Sequence, residues 1–237
     1  MLEKNLKREK INVLKMLERT YGKISKEGIE VLNYGRIANA TVFRYKDDMR
    51  DLTIKDFSES PFIIKNTVGR LFIKNEANKM MELKNNKSVA GGVNIISPYT
   101  LSFNYIEGTA LKGIHGNIIG KEFFITLEKN IKKIQDKDIV HLDLRNLGNI
   151  IMGKDGYPYI IDFQSAIKIK FLPRFLRKIL FDSDLSGVCK AWQKRCVEEL
   201  DEGRKKFLEN FNRIRKIWIL KGYPIQKLIR KVRKRIS

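Results

Sequence analysis

The most constraining feature of this chain is a pair of polar loops joined by one short hairpin. His141, Asp143, Asn146 and Asn149 lead into the apolar residues 150–152. Gly156, Tyr157 and Pro158 then form a turn before the apolar residues 159–161, and Asp162 follows directly. Two apolar runs flanking a Gly/Pro turn are expected to pair as antiparallel strands. Such pairing sets Asp143 and Asn149 beside Asp162 at the same end of the hairpin. Taken singly, each residue is ordinary, since an Asp next to an apolar run often only caps a helix or a turn. Their order and intervals together are what narrow the possible folds.

The rest of the chain is read around this hairpin. Its 237 residues suit one compact domain or two packed lobes, and a 43% hydrophobic fraction is enough for a core. Helical periodicity is expected over residues 2–19, with Gly22 just beyond, and over 70–84, carried by Leu71, Phe72, Ala77, Met80 and Met81. Strands are expected at 29–34, 40–45 and 52–57, the last two joined by a turn at 46–50, and again at 93–96 and 100–106. Glu107 and Gly108 break the pattern, and further helices are expected at 126–134 and 188–219. The expected fold class is α+β. A small antiparallel β-rich N-terminal half with one helix (1–104) precedes a mainly helical half (105–209).

Residues 210–237 form a third region of a different kind. They hold ten Lys/Arg and no Asp or Glu, with Ile225, Leu228, Ile229, Val232 and Ile236 at helical spacing after Gly222 and Pro224. The pattern is that of a basic amphipathic helix, either docked through its apolar stripe or lying on an anionic partner. The whole chain carries 48 Lys+Arg against 27 Asp+Glu, a net +21. This electropositive surface leaves nucleic acid, an anionic membrane or a phosphorylated ligand as partners. Cys189 and Cys196 are too few for a disulfide framework and read as buried small side chains. Two histidines argue against a His-rich metal centre. No apolar run is long enough to cross a membrane, and the N-terminus lacks the apolar stretch of a signal peptide. The expectation is a cytoplasmic protein, peripheral on the inner face of the membrane if the tail binds lipid.

His141-Leu142-Asp143-Leu144 with Asn149, followed by Ile161-Asp162-Phe163, resembles the catalytic loop and the metal-binding motif of the protein-kinase superfamily. The resemblance covers about residues 29–200 and implies a two-lobed protein-kinase-like fold. It also implies ATP and Mg2+ as cofactors and transfer of the γ-phosphate to a hydroxyl. By the same resemblance, Asp143 orients the acceptor hydroxyl and takes its proton, while Asp162 and Asn149 hold magnesium. Arg145 reaches the γ-phosphate, and His141 braces the loop backbone. Upstream, Lys55 resembles the lysine that clamps the α/β-phosphates and Glu76 the glutamate that positions it. Lys65, at the end of Phe62-Ile63-Ile64, is the rival lysine. Gly35 stands at the place of the phosphate lid. Asn104 and Tyr105 resemble the hinge whose backbone hydrogen-bonds adenine. Asp184 resembles the buried aspartate that steadies the catalytic loop.

Three departures accompany the resemblance. Residues 34–40 keep Gly35 but lack the glycine-rich lid. The interval from Asp143 to Asn149 is one residue longer than usual, which makes Asn146 a second candidate amide. Gln164 replaces the glycine after Phe163, and no Ala-Pro-Glu follows. These traits are similar to compact atypical branches, the RIO-type kinases and the bacterial kinases of lipopolysaccharide core sugars (Kdo or heptose). The expected function is an ATP-dependent phosphotransferase whose acceptor is such a sugar. A RIO-like serine/threonine protein kinase is the alternative. A non-catalytic RNA-binding or ATP-binding pseudokinase module is the reading from another class, and nucleic acid ranks below lipid-linked sugar and protein as a partner.

Overall fold

The structure, a computed structural model, describes residues 2–35 and 39–217. Ile225 to Ile236, the apolar stripe expected of a basic tail helix, and Arg36–Ala38 of the lid segment lie outside the described residues. The chain forms two compact units. One runs to Met81 and includes Ala90–Tyr105; the other comprises Glu82–Val89 and the residues from Ile106 onward.

The first unit is a five-stranded antiparallel sheet in the order β1-β2-β3-β5-β4. Its strands are β1 (Ile29–Asn33), β2 (Thr41–Lys46), β3 (Asp51–Asp56), β4 (Asn94–Ser97) and β5 (Thr100–Asn104). In β2 the inward residues Thr41, Phe43 and Tyr45 alternate with more exposed neighbours, as a sheet with one covered face requires. Helix α1 (Leu2–Tyr21) supplies the cover. Val13 and Leu17 are fully buried in one cluster with Phe43, Tyr45 and Ile54. Each such aliphatic contributes roughly 1.5–3 kcal/mol relative to exposure. Gly22 ends α1 at φ +78°, its N–H donating to Glu18 O at 2.9 Å, a left-handed cap that glycine adopts without strain.

After β3 the chain is helical without a break: α2 (Phe62–Ile64), a π-turn (Lys65–Gly69) and α3 (Arg70–Glu82). The expected helix over 70–84 therefore starts earlier, and Lys65 sits on the π-turn. The buried stripe of α3 is Ile73, Glu76, Ala77 and Met80. Leu71, read from the sequence as part of that stripe, lies about 160° away around the helix and is exposed.

The second unit departs further from expectation. Gly108 does not end the strands: β6 (Gly108–Ala110) joins β8 (Ile150–Gly153) and β9 (Pro158–Ile160) in a sheet ordered β6-β8-β9. Gly108 pairs with Gly153, and a Cβ at Gly108 would lie 2.3 Å from Met152 O, so only glycine fits this strand. The expected hairpin is present as β8 against β9. A second small sheet pairs β7 (Ile139–Val140) with β10 (Ile167–Lys168). The unit's described α-helices are α4 (Lys121–Gln135), α5 (Arg174–Arg195) and α6 (Glu202–Ile217).

Helix α5 begins well before the expected residue 188. Its buried face includes Asp184, Ser186 and Gly187 beside Val188 and Ala191. Polar and small residues on the inner face blunt the apolar periodicity that reveals a helix. Residues 82–89 belong to this unit through their hydrogen bonds. Asn86 Nδ2 donates to Asn130 O at 3.3 Å, and Ile160 N–H donates to Ser88 O at 2.8 Å. Cys189 and Cys196 are free and buried. Among the described residues, no helix is long and apolar enough to cross a membrane.

Candidate active site

In the first unit the sheet and α3 bring Lys55 and Glu76 together. Lys55 lies mid-strand in β3, and its Nζ donates to Glu76 Oε1 at 2.7 Å and Oε2 at 3.0 Å. Both residues are buried. Burying two charges is favourable only with such close pairing, and a hydrophobic pair of similar volume is commonly as stable. The pair therefore points to a role beyond packing. Lys65 is no partner of this kind, because its Nζ donates to Ser58 O at 3.3 Å. Of the two lysines, Lys55 is the one paired with Glu76.

Two other candidates lie in this unit. Asn104 and Tyr105 were expected to offer backbone groups to adenine, and their N–H groups are occupied within the unit. Asn104 N donates to Gly91 O at 2.9 Å and Tyr105 N to Asp51 O at 2.8 Å. The Tyr105 ring also lies beneath the Arg44 guanidinium, 4.0 Å away. Gly35 N–H donates to Thr41 Oγ1 at 3.2 Å, and a Cβ there would meet Asn39 O at 2.3 Å. Glycine at this position is explained by its close approach to the backbone that follows.

In the second unit His141 ties the two polar loops to each other. Its Nε2 contacts the carbonyl oxygen of Ile161 at 2.9 Å, an acceptor, so Nε2 carries the proton. Nδ1 then accepts from Asp143 N–H at 3.3 Å. The ring lies edge-on to Phe163, and Ser165 Oγ donates to His141 O at 2.9 Å. Ile161 N–H donates to Asn149 O at 3.0 Å. Both backbone groups of Ile161 are thereby fixed, and with them the position of Asp162.

Asn149 is held against Asp143. Its Nδ2 donates to Asp143 O at 3.1 Å and to Asp143 Oδ2 at 3.0 Å. The extra residue in this loop is taken up by a short 3-10 turn (Leu147–Asn149), whose N-cap Asn146 accepts from Gly148 N–H at 3.2 Å. Asn146 caps this turn, its Nδ2 also donates to Asn149 Oδ1 at 3.2 Å, and Asn149 is the amide bonded to Asp143. Leu142 and Asp162 both have left-handed backbone, at φ +66° and +70°. Such residues cost about 1–3 kcal/mol each and concentrate at functional sites.

Helix α5 is the platform for this loop. Asp184 Oδ2 accepts from His141 N–H at 2.6 Å and Oδ1 from Leu142 N–H at 2.9 Å. Complete burial pushes its carboxyl up to about 7, against the lowering effect of those two donors. Three residues on, Gly187 abuts Leu144, where a Cβ would lie 2.8 Å from both C and Cβ. Lys190 Nζ donates to Arg145 O at 2.7 Å, and burial lowers its pKa. Sequence reasoning missed Gly187, Ser186 and Lys190. The available signal was small and polar residues at i, i+3 spacing from Asp184. Arg145, expected to reach a phosphate, is engaged elsewhere: Nη1 donates to Ser186 Oγ at 2.9 Å and Nη2 to Asn212 Oδ1 at 3.1 Å.

The donor set suits a hard divalent cation. The Asp162 carboxylate and the Asn149 carboxamide offer oxygen atoms of the kind such an ion takes, the Asn149 Oδ1 accepting from Asn146 Nδ2 at 3.2 Å, and magnesium bound with nucleotide phosphates needs only one or two protein groups. Among the described residues, no three His, Cys, Asp or Glu side chains cluster as a self-sufficient metal cage.

No family model matches the chain, and no curated protein matches it. Solved structures do. A crystal structure of the Rio2 kinase-ADP/Mg2+-phosphoaspartate complex from Chaetomium thermophilum is similar at a TM-score of 0.57 and 14% identity, over 81% of this chain and 63% of that one. A second crystal structure of the Rio2 kinase from the same organism has a TM-score of 0.58 at 13% identity, over 84% and 76% of the two chains. This chain thus spans less than two thirds of the first of these structures. The shared fold is α+β and protein-kinase-like, with an antiparallel sheet unit and a helical part.

Proposed function

We propose that this chain is an ATP- and magnesium-dependent phosphotransferase acting on a hydroxyl acceptor. The observation that carries this reading is the Asn149 amide, bonded to both the carboxylate and the carbonyl of Asp143, in a loop that His141 ties to Ile161 beside Asp162. Bound magnesium would neutralise charge on the transferring phosphoryl group. Asp162 and Asn149 would hold the ion, and Lys55, kept in place by Glu76, would grip the phosphates. Asp143 would orient the acceptor hydroxyl and accept its proton as the new bond forms. The ADP/Mg2+ in the Rio2 complex is in keeping with this assignment.

For the acceptor, a lipid-linked sugar such as one of the lipopolysaccharide core is the reading we pursue. Only residues 163–173 join Asp162 to α5, which leaves little chain to seat a peptide. A protein acceptor is the second reading, favoured by the likeness to Rio2 kinase structures. The test is transfer from labelled Mg-ATP by wild type and Asp143→Asn, offered an envelope lipid fraction or protein. Label in lipid with wild type alone supports the sugar reading, and label in protein alone selects the second. No transfer and no Mg-ATP binding would remove the phosphotransferase assignment.

A further inference from the structure

The segment that follows Asp162 has an unusual surface. Ile169 is fully buried with Val140 and Leu180, and its N–H donates to Asp138 O at 2.8 Å. Leu172 N–H donates back to Ile169 O at 3.0 Å, closing a turn with Phe171 near its tip. Phe171 is 94% exposed and Phe175, in the first turn of α5, is 65% exposed. Two exposed phenylalanines on an anchored turn and helix start cannot be explained by the core of this unit.

Along the chain, the charges of this segment are of one sign. No Asp or Glu occurs from residue 163 to 181, a stretch that holds Lys168, Lys170, Arg174, Arg177 and Lys178. Lys168, Arg177 and Lys178 are paired with Glu82, Asp138 and Asp182. Lys170 and Arg174 have no ion-pair partner among the described residues, and they flank the two rings in sequence. Protruding aromatic rings between uncompensated cations complement an anionic bilayer, where rings enter the interface and cations meet headgroups. A second copy of the chain would bring the same positive charge and repel.

We infer that residues 167–178 form a membrane-contact surface for anionic lipid, with Phe171 and Phe175 entering the interface and Lys170 and Arg174 meeting headgroup phosphates. Strand β10, at the start of this segment, pairs with β7, which leads directly into His141. A lipid-borne acceptor would thus be held near the loop carrying Asp143. That extension rests on the phosphotransferase reading, whereas membrane binding does not.

The experiment is co-sedimentation of the full chain, without ATP, at physiological salt. The vesicles are phosphatidylglycerol:phosphatidylcholine 1:1 or phosphatidylcholine alone. Wild type is expected to bind the anionic vesicles only. Phe171→Ser/Phe175→Ser and Lys170→Glu/Arg174→Glu should each weaken binding at least tenfold, with the thermal midpoint unchanged because these side chains are exposed. The basic residues beyond 217 are present in every form, so the difference reports on 167–178. Phe171→Trp should also gain fluorescence quenching by lipids brominated on the acyl chain. Wild-type-like binding by the Phe variant, no binding by wild type, or no added quenching would overturn the inference. So would a Phe variant that loses single-stranded RNA but keeps vesicles.

Discussion

The two units hold their chemistry in opposite ways. The first commits one side-chain pair, Lys55 with Glu76, bridging a strand and a helix. The second holds a loop by its backbone, with Asp184 taking two N–H groups, His141 another, and Lys190 a carbonyl. A side-chain pair can be exchanged for packed hydrocarbon with little loss of stability. A loop whose amides point at one buried carboxylate has no such substitute, because the amides remain when the carboxylate goes.

The largest effect follows from that asymmetry. Asp184→Ala strands the buried N–H of His141 and the half-buried N–H of Leu142, so urea unfolding should show about 3–5 kcal/mol lost. A cost below about 1 kcal/mol would mean that the loop finds other acceptors. In the first unit, Lys55→Met leaves Glu76 buried and should cost about 3 kcal/mol. The double change Lys55→Met/Glu76→Leu should recover most of this while leaving Mg-ATP binding lost, as read by calorimetric titration. A double variant no more stable than the single would show that the pair supports the fold itself.

Smaller effects sharpen the role of α5 and the two amides. Gly187→Ala pushes a methyl into Leu144 and should cost about 2 kcal/mol, with phosphate transfer falling more than Mg-ATP affinity. Asn146→Ala removes a cap and the bond from Asn146 Nδ2 to Asn149 Oδ1, and should cost about 1 kcal/mol, with transfer falling less than in Asn149→Ala. Asn149→Ala, by contrast, should raise the magnesium concentration needed for half-maximal transfer. Equal magnesium dependence in the two variants would return the metal role to open competition between the amides.

Much of the site was legible because it is local. His141, Asp143, Asn149 and Asp162 are separated by one short hairpin, and the turn at 156–158 with apolar runs on either side is enough to bring them together. The hairpin that carries Lys55 was legible for the same reason, since β2 and β3 are joined by a short turn. Helix α5 was obscured because the face it turns inward is Asp184, Ser186 and Gly187 rather than an apolar stripe.

What the sequence by itself determined is the local chemistry: which carboxylates and amides share a hairpin, and that a short turn joins the strands at 40–45 and 52–57. Tertiary structure decided the rest. It put Glu76 within 2.7 Å of Lys55 and placed Lys65 on a π-turn. It coiled the extra loop residue into a 3-10 turn and set the Asn149 amide on Asp143. It turned the Arg145 guanidinium onto Ser186 and Asn212, and occupied the N–H groups of Asn104 and Tyr105 with carbonyls of their own unit. Hydrogen bonds reach about 3 Å in space whatever the separation along the chain, so partners distant in the chain leave no periodicity for a sequence to display.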